Sequence, residues 1–526
     1  MTLTAAHFAD FFKGVQGYSP FPWQQQLVEQ LAENDCWPDV LDLPTGAGKT
    51  AALDAAVFHL ALRASAPARA ALRIALVVDR RLVVDDADRR ARKIASILRN
   101  PSQVPEENRA VVREVARRLQ RLAGAEGPPL VAARLRGGAP LEHDWTRSPT
   151  QPTILCSTVD QVGSRLLFRG YGVSDRMKPV HAGLLGTDSL ILLDEAHLSE
   201  PFRKTLEAVR TIGKARVRVV VLTATPGGSY QRPLQLGRQD RAHPVLRARI
   251  AAAKPTRLMK PLQVPDPAGH FAHAARELAQ RLRRGGVAAP AVGVVVNRVD
   301  LARAIFERLR IGDAEGSAGV ELLIGRARDV GRRRIEGRLA PYRTGADGRA
   351  AAGPLLLVAT QCLEVGVDLD LDGLVTQAAS LDALRQRFGR LNRAGRPIPA
   401  AGSILVTAEG LRKKADDPVY GSRIRDTWDA LTAIARRGRV DFGVSALDAQ
   451  LRKAKIDVAA LAAPRARAPV LMPAYLDLWA QTSPPPAADP EVGLFLHGVE
   501  RAPAEVSLVW RSDISSDMFS VRDKLI

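Results

Sequence analysis

Short, nearly unbroken apolar runs recur along this chain at 74–78, 153–157, 190–193 and 217–222, and again at 292–296, 321–324, 355–358, 374–377 and 403–406. Strands buried on both faces require this pattern, whereas strands with one wet face alternate. Longer helical patterns lie between the runs. The spacing therefore predicts an α/β fold in which helices cover parallel sheets. Two sets of strands imply two domains. A first α/β domain is expected over 1–230, with an insertion near 100–152 whose later part, 124–152, is dense in Gly and Pro. The stretch 231–265 is rich in Pro, Gly and Arg, shows no periodicity, and reads as a connection. A second α/β domain follows over 266–410. The remainder, 411–526, reads as a mainly helical accessory region, Pro-rich around 483–490, with one further strand at 506–510.

Composition changes this picture in one respect. At 526 residues, with 46% apolar and 25% charged positions, the chain is ordinary for a globular protein of more than one domain. Its charge is not ordinary. An excess of Lys and Arg (76) over Asp and Glu (56) leaves +20, which draws polyanions to the surface. Cys36, Cys156 and Cys362 are too scattered for a disulfide framework or a zinc site. With no signal-peptide pattern and no apolar stretch of bilayer length, a cytoplasmic setting without a membrane partner is expected.

Candidate chemistry begins at 39–43, a strand that runs into Leu43-Pro44-Thr45-Gly46-Ala47-Gly48-Lys49-Thr50 and then an alanine-rich helix. Strand, glycine loop and helix in that order form a phosphate cradle, in which backbone N–H groups and the helix N-terminus face the anion. Thr45, Gly46, Ala47 and Gly48 would wrap the phosphates of ATP, and Lys49 would reach the β- and γ-phosphates. The Thr50 hydroxyl would bind Mg²⁺. The usual form of this loop has Gly where Leu43 stands. The run 190–193 ends in Asp194-Glu195-Ala196-His197, so Asp194 is the expected second Mg²⁺ ligand and Glu195 the base for the attacking water. Thr223-Ala224-Thr225 closes the next strand. Thr223 and Thr225, with His197, are candidates for coupling the nucleotide site to a nucleic-acid site.

The second domain supplies cations. Gln386, Arg390 and Arg393 recur at i, i+4 and i+7, one face of a helix. Arg390 and Arg393 would close on the γ-phosphate held by the first domain, with Gln386 as a coupling residue, and Gly389 and Gly395 would permit close approach. Asp368 would reach the ribose or the cleft.

The ordered set Trp23-Gln24, the phosphate loop, D-E-A-H, T-A-T, 360–368 and 386–396 resembles the superfamily 2 helicases over about residues 18–408. The resemblance implies two tandem RecA-like domains with ATP at their interface and Gln24 reading adenine. Gln25 and Gln26 leave the register open. A narrower likeness is to the CRISPR-associated helicase–nucleases of type I systems. It rests on Ser157-Thr158-Val159-Asp160-Gln161-Val162, on Thr360 to Asp370, and on Gln386 to Gly395. The opening Gly17 to Gln24 is similar to subtype G, formerly U. That family implies a motor that draws single-stranded DNA in the 3′→5′ direction with ATP and Mg²⁺, recruited by an RNA-guided surveillance complex. Its HD nuclease needs several His and Asp residues. Here His143-Asp144 is the sole His-Asp dipeptide and His497 the sole histidine after Leu411. The nuclease is therefore expected outside these residues, in a separate polypeptide or further along a longer chain.

For nucleic acid, the expected contacts are strand-end residues: Arg80, Arg81, Thr158, Asn297, Arg298 and Thr360. Another superfamily 2 motor, acting on RNA or in DNA repair, is the first alternative. A non-catalytic nucleic-acid scaffold is the second, opposed by the intact Lys49, Asp194, Glu195, Arg390 and Arg393.

Overall fold

The computed structural model describes residues 1–66, 70–79, 81–124, 127–137, 142–196, 199–213, 216–224, 230–264, 266–311, 319–325, 329–346, 349–364 and 368–499. The first lobe holds strands β1 (Val40–Asp42), β2 (Arg73–Val78), β3 (Val131–Leu135), β4 (Thr153–Thr158), β5 (Ser189–Asp194), β6 (Val217–Thr223) and β7 (Pro233–Gln235). They form one sheet in the order β3-β4-β2-β5-β6-β1-β7, with every pairing parallel. The second lobe holds β8 (Pro255–Leu258), β9 (Ala291–Val295), β10 (Gly319–Leu323), β11 (Leu355–Ala359), β12 (Gly373–Gln377), β13 (Ala401–Leu405) and β14 (Arg439–Asp441). Their order is β10-β11-β9-β12-β13-β8-β14, parallel except for the antiparallel β14.

Every residue of β2, β4 and β11 is buried, as strands between two helical layers must be. Each sheet accordingly has a hydrophobic core on both faces. The helix Ala52–Leu62, which follows the phosphate loop, is buried on all sides from Ala52 to Ala61 and so is fixed rigidly within the first lobe.

Three strands of the parallel sheets break the expected pattern. β3 lies in the stretch read as an insertion, which also contains the helix Glu106–Ala123. β7 and β8 lie in the stretch read as a plain connection. That stretch is ordered: β7 joins the first sheet, β8 the second, and the helices Arg238–Ala242 and Pro244–Ala251 cross between them. Both β7 and β8 start on proline, which a strand tolerates at its first residue, and both are too short to show periodicity.

The C-terminal region is mainly helical and serves both lobes. The helices Arg423–Ile434 and Val444–Lys453, with β14 between them, pack on the second lobe through Trp428, Leu431, Leu447 and Leu451. Beyond these, Trp479, Phe495 and Leu496 enter the core of the first lobe beside Phe202 and Val162. Thr205 donates to the Phe495 carbonyl at 2.6 Å, and Arg169 to the Trp479 carbonyl at 2.7 Å. The proposed strand at 506–510 lies outside the described residues. Among those residues, no helix is long and apolar enough to cross a membrane, and all three cysteines are free.

Candidate active site

The phosphate loop leaves β1 at the carboxyl edge of the first sheet. Leu43 is buried in the core and donates its N–H to the Thr223 carbonyl at 3.0 Å, anchoring the loop to β6. A core leucine thus occupies the position where related loops carry Gly. Gly46 (φ +89°) and Gly48 (φ +79°) both lie in the left-handed region, where a side chain would be strained. Lys49 and Thr50 then open the helical turn, whose first N–H groups have no intrahelical acceptor. The Trp23 indole donates to the Ala47 carbonyl at 2.9 Å, and the Gln24 amide approaches the Gly48 carbonyl at 3.4 Å. Gln25 points elsewhere, to the Ala5 carbonyl and Glu29. Gln24 is therefore the glutamine that faces the loop. A residue that the sequence did not single out, Asp240, receives the Trp23 N–H at 2.8 Å from the crossing helix Arg238–Ala242.

β5 delivers the two acids. Glu195 has φ +48°, an uncommon conformation for a non-glycine residue, and its N–H bonds both the Leu222 carbonyl (2.8 Å) and Asp194 Oδ1 (3.1 Å). The turn separates the two carboxylates. Lys49 Nζ lies 3.4 Å from Glu195 Oε1 and 3.3 Å from the Leu43 carbonyl, poised between loop and acid. Withdrawal from water, and then the adjacent Glu195 charge, push the Asp194 carboxyl well above the ordinary range. A cation beside it would reverse that shift. Thr223 is buried at the end of β6, in register with Asp42, while His197 and Thr225 lie outside the described residues.

The arginines meet the loop, but not as one helical face. The helix Leu381–Phe388 stops at Gly389, and Arg390 and Arg393 are carried on the turn that follows, with Asn392 at φ +41° and Gly395 at +72°. Backbone bonds from Leu371 N to the Arg390 carbonyl (2.9 Å) and from Asn392 N to the Leu371 carbonyl (2.7 Å) set this turn. The expected i, i+4, i+7 alignment with Gln386 is replaced by a turn that sets Arg393 beside Gly46 of the other lobe. A Cβ on Gly389 would lie 3.0 Å from Thr45 Cγ2, and one on Gly46 would lie 3.8 Å from the Arg393 carbonyl. Arg390 is buried and donates to the carbonyls of Leu363 (3.1 Å) and Glu364 (2.8 Å). Burial, then Arg393, weakens its hold on a proton, while Asp368 and then Glu195 and Asp194 oppose that shift. Arg393 pairs with Asp368 at 2.9 Å, and Asp368 also accepts from Thr344 at 2.8 Å, so the partners of Asp368 come from its own lobe.

The strand-end residues fare differently. Asn297 is interior: its amide donates to the Ala378 carbonyl (2.9 Å) and accepts from Arg387 (2.9 Å), so the expected nucleic-acid contact through this side chain is corrected. Thr158 and Thr360 are buried, at 3% and 4% exposure, which removes both hydroxyls from the surface in this conformation. Arg298 is exposed and paired with Asp417 at 3.2 Å. Arg80 and the Arg81 side chain lie outside the described residues. Arg387, Lys254 and Arg249 were not foreseen. Arg387 is fully buried among Glu364, Thr376, Asn297 and Tyr420. Lys254 donates to the Phe388 carbonyl at 2.7 Å, and Arg249 to the Gly46 carbonyl at 2.7 Å. Their partners are remote in sequence, so no local pattern signals them.

Comparison with known proteins follows this geometry. The family described as CRISPR-associated nuclease/helicase Cas3, C-terminal, matches residues 288–396, from just before β9 through the arginine turn. The CRISPR-associated helicase Cas3 of Thermoproteus tenax is 29% identical over 294 residues, covering 53% of this chain and 44% of that protein. The chain is thus similar to the Cas3 helicases over its second lobe and about half of its length. The CRISPR-associated endonuclease/helicase Cas3 of Escherichia coli is 32% identical over 157 residues, 28% of this Cas3-like chain and 17% of the relative. The chain thus spans less than half the length of these curated relatives. In fold it is similar to the crystal structure of T. fusca Cas3, with TM-score 0.56 at 17% identity over 85% of this chain and 53% of that one. The structure titled T. fusca Cas3-ATP gives TM-score 0.56 at 16% identity, covering 95% and 60%. Among the described residues of the Cas3-like chain, no group of three or more His, Cys, Asp or Glu is arranged to hold a metal ion.

Proposed function

We propose that this chain is an ATP-dependent, single-stranded DNA translocase and helicase that works in the 3′→5′ direction in type I CRISPR interference. One observation carries the reading. Lys49 lies against Glu195 in the first lobe, Gly389 and Arg393 of the second abut the glycine loop, and Arg390 feels the charges of Glu195 and Asp194, so both lobes contribute groups around the loop. The residues suit ATP with Mg²⁺. Two glycines in the left-handed region clear the cradle, Thr50 is exposed at its mouth, and Asp194 is a carboxylate that a cation would stabilise. Bound ATP would supply the phosphoryl group transferred to water, with Mg²⁺ held by Thr50 and Asp194 neutralising its charge. Lys49 and the loop amides bind the phosphates, Gln24 faces the base, and Asp368 lines the cleft. Glu195 takes the proton of the attacking water. Arg390 and Arg393 complete the site only when the lobes meet, which ties turnover to lobe movement, with Thr223 and Gln386 along the path.

The +20 charge and the exposed Arg298 support single-strand binding through phosphates. Arg81 is a further contact in this reading. The Cas3 likeness supports recruitment by an RNA-guided complex, a cytoplasmic setting, and an HD nuclease domain or subunit outside these residues. The test is ATP turnover with single-stranded DNA or RNA added at stated salt. DNA should stimulate it, and Glu195→Gln should cut it by about 10²–10⁴-fold while single-strand binding survives. Full turnover by Glu195→Gln would sink the mechanism. Stimulation by RNA alone would move the motor to another substrate.

A further inference from the structure

The segment that crosses between the sheets passes over the phosphate loop, and one of its side chains enters the site. Arg249, on the helix Pro244–Ala251, donates from Nη1 to the Gly46 carbonyl at 2.7 Å. Its guanidinium lies 5.6 Å from the ring centroid of Phe21, the residue that precedes the helix bearing Trp23 and Gln24. Arg249 Cδ and Arg393 Cγ each stand 3.9 Å from where a Cβ on Gly46 would sit. The two arginines therefore bracket the same glycine.

Both are incompletely satisfied. Arg249 Nε and Arg393 Nη1 are buried and have no hydrogen-bond partner among the described residues. A buried N–H without an acceptor is costly, and two of them on neighbouring cations call for an anion. Burial, and then the Arg393 charge, lowers the proton affinity of Arg249, with Asp368 opposing. The structure assigns Arg249 as a third arginine of the nucleotide site, binding the phosphate chain from the segment that joins the lobes. This assignment rests on the nucleotide reading above.

Its position is also tied to the arginine turn. A Cβ on Gly395 would lie 2.3 Å from the Ala248 carbonyl oxygen and 2.7 Å from Arg249 N, so the turn and the crossing helix touch backbone to backbone. Arg249 and Arg393 consequently reach or leave the loop together. A polyphosphate bridging them would hold the crossing segment and the second lobe against the first.

Calorimetric titration of the whole chain with ATP and with inorganic tripolyphosphate, which has no base, tests this. Arg249→Ala should weaken both by about tenfold, the loss expected for one charge-assisted contact. Arg249→Lys, which keeps the charge without the fork, should weaken both by about threefold. If Arg249 were only a strut to Gly46, the melting temperature would fall and tripolyphosphate affinity would not change. That result overturns the assignment, as does a loss confined to ATP, which would put Arg249 at the base. Should Arg249→Ala fail to fold, Arg249→Gln keeps a donor for the Gly46 carbonyl and should show the same loss. A native chain that binds neither ligand would defeat the nucleotide reading itself, and this inference with it.

Discussion

The two lobes order their strands alike, although β14 runs antiparallel where its counterpart β7 runs parallel. Adding seven to each strand number of the first sheet, β3-β4-β2-β5-β6-β1-β7, reproduces the second, β10-β11-β9-β12-β13-β8-β14. What differs is the cargo at equivalent strand ends. β1 runs into the glycine cradle, whereas its counterpart β8 runs into Met259-Lys260-Pro261-Leu262, pinned along β13 by Met259 N to Ile404 O (3.0 Å) and Leu262 N to Val406 O (2.8 Å). β5 ends in Asp194 and Glu195, whereas its counterpart β12 leads into the helix and turn that carry Arg390 and Arg393. One scaffold thus presents acids on one lobe and arginines on the other. Topology provides the edge, and local sequence decides what stands on it. In the proposed reading, neither lobe alone holds a complete site.

The sharpest way to break this comparison is to exchange roles between neighbouring arginines of the second lobe. Arg387 is a structural centre, fully buried and bonded to Glu364 Oε1 at 2.8 Å, Asn297 Oδ1 at 2.9 Å and Tyr420 OH at 2.9 Å. Arg387→Ala leaves Glu364 buried without its guanidinium partner, and should destabilise the protein by about 3–5 kcal/mol in denaturant unfolding. Arg393→Ala should change stability by less than about 1 kcal/mol, because its salt bridge is to the half-exposed Asp368. It should nonetheless lower turnover by about 10³-fold or more. An inactive but fully stable Arg387→Ala protein would erase the distinction.

The next test concerns the contact between the arginine turn and the crossing helix. Gly395 combines φ +72° with a backbone 2.3 Å from its missing Cβ, so Gly395→Ala is both strained and crowded. Overpacking of this kind costs about 1–3 kcal/mol, and the turn can relieve it only by withdrawing from Ala248. Thermal unfolding should shift down, and turnover should fall further than the lost stability explains. Unchanged turnover at a lowered melting temperature would show that the contact is structural only.

These two glycine- and arginine-based features show what the sequence could and could not reveal. The central strands of the first sheet were legible because burial on both faces demands apolar runs, as in β2 and β5. The loop's conformation was legible because Gly46 and Gly48 are residues that take the left-handed backbone they adopt here. The arginine turn was read as helix because Gln386, Arg390 and Arg393 fit helical spacing, and only the pairing of Leu371 with the segment 390–392 breaks it. Arg249 and Asp240 were invisible because their partners, Gly46 and Trp23, lie about two hundred residues away. Asn297 was taken for a surface contact because a strand end exposes its backbone edge, yet the side chain turns inward to Arg387.

The smallest expected effect concerns how unequally the C-terminal chain treats the two lobes. Its earlier helices extend the second core, but its last described turn, Gly493–His497, clasps the first. There His497 Nε2 lies 2.7 Å from Asp160 Oδ1, both about half exposed. The hydrogen bond to Asp160 raises the His497 proton affinity above its ordinary value of 6.5, with a smaller push from Asp79. Below that ordinary value the imidazole is protonated folded or unfolded, and the pair contributes in full. As pH climbs through the raised folded value, the charge and its contribution are lost. His497→Ala should therefore lower stability by only about 0.2–1 kcal/mol at acid pH, the range for exposed ion pairs, and by less at alkaline pH. Melting curves of the two proteins on either side of neutrality measure the difference. A gap that widened with rising pH would mean that His497 acts as a neutral packing group, leaving Leu496, seated against Gly163, as the principal hold on the first lobe.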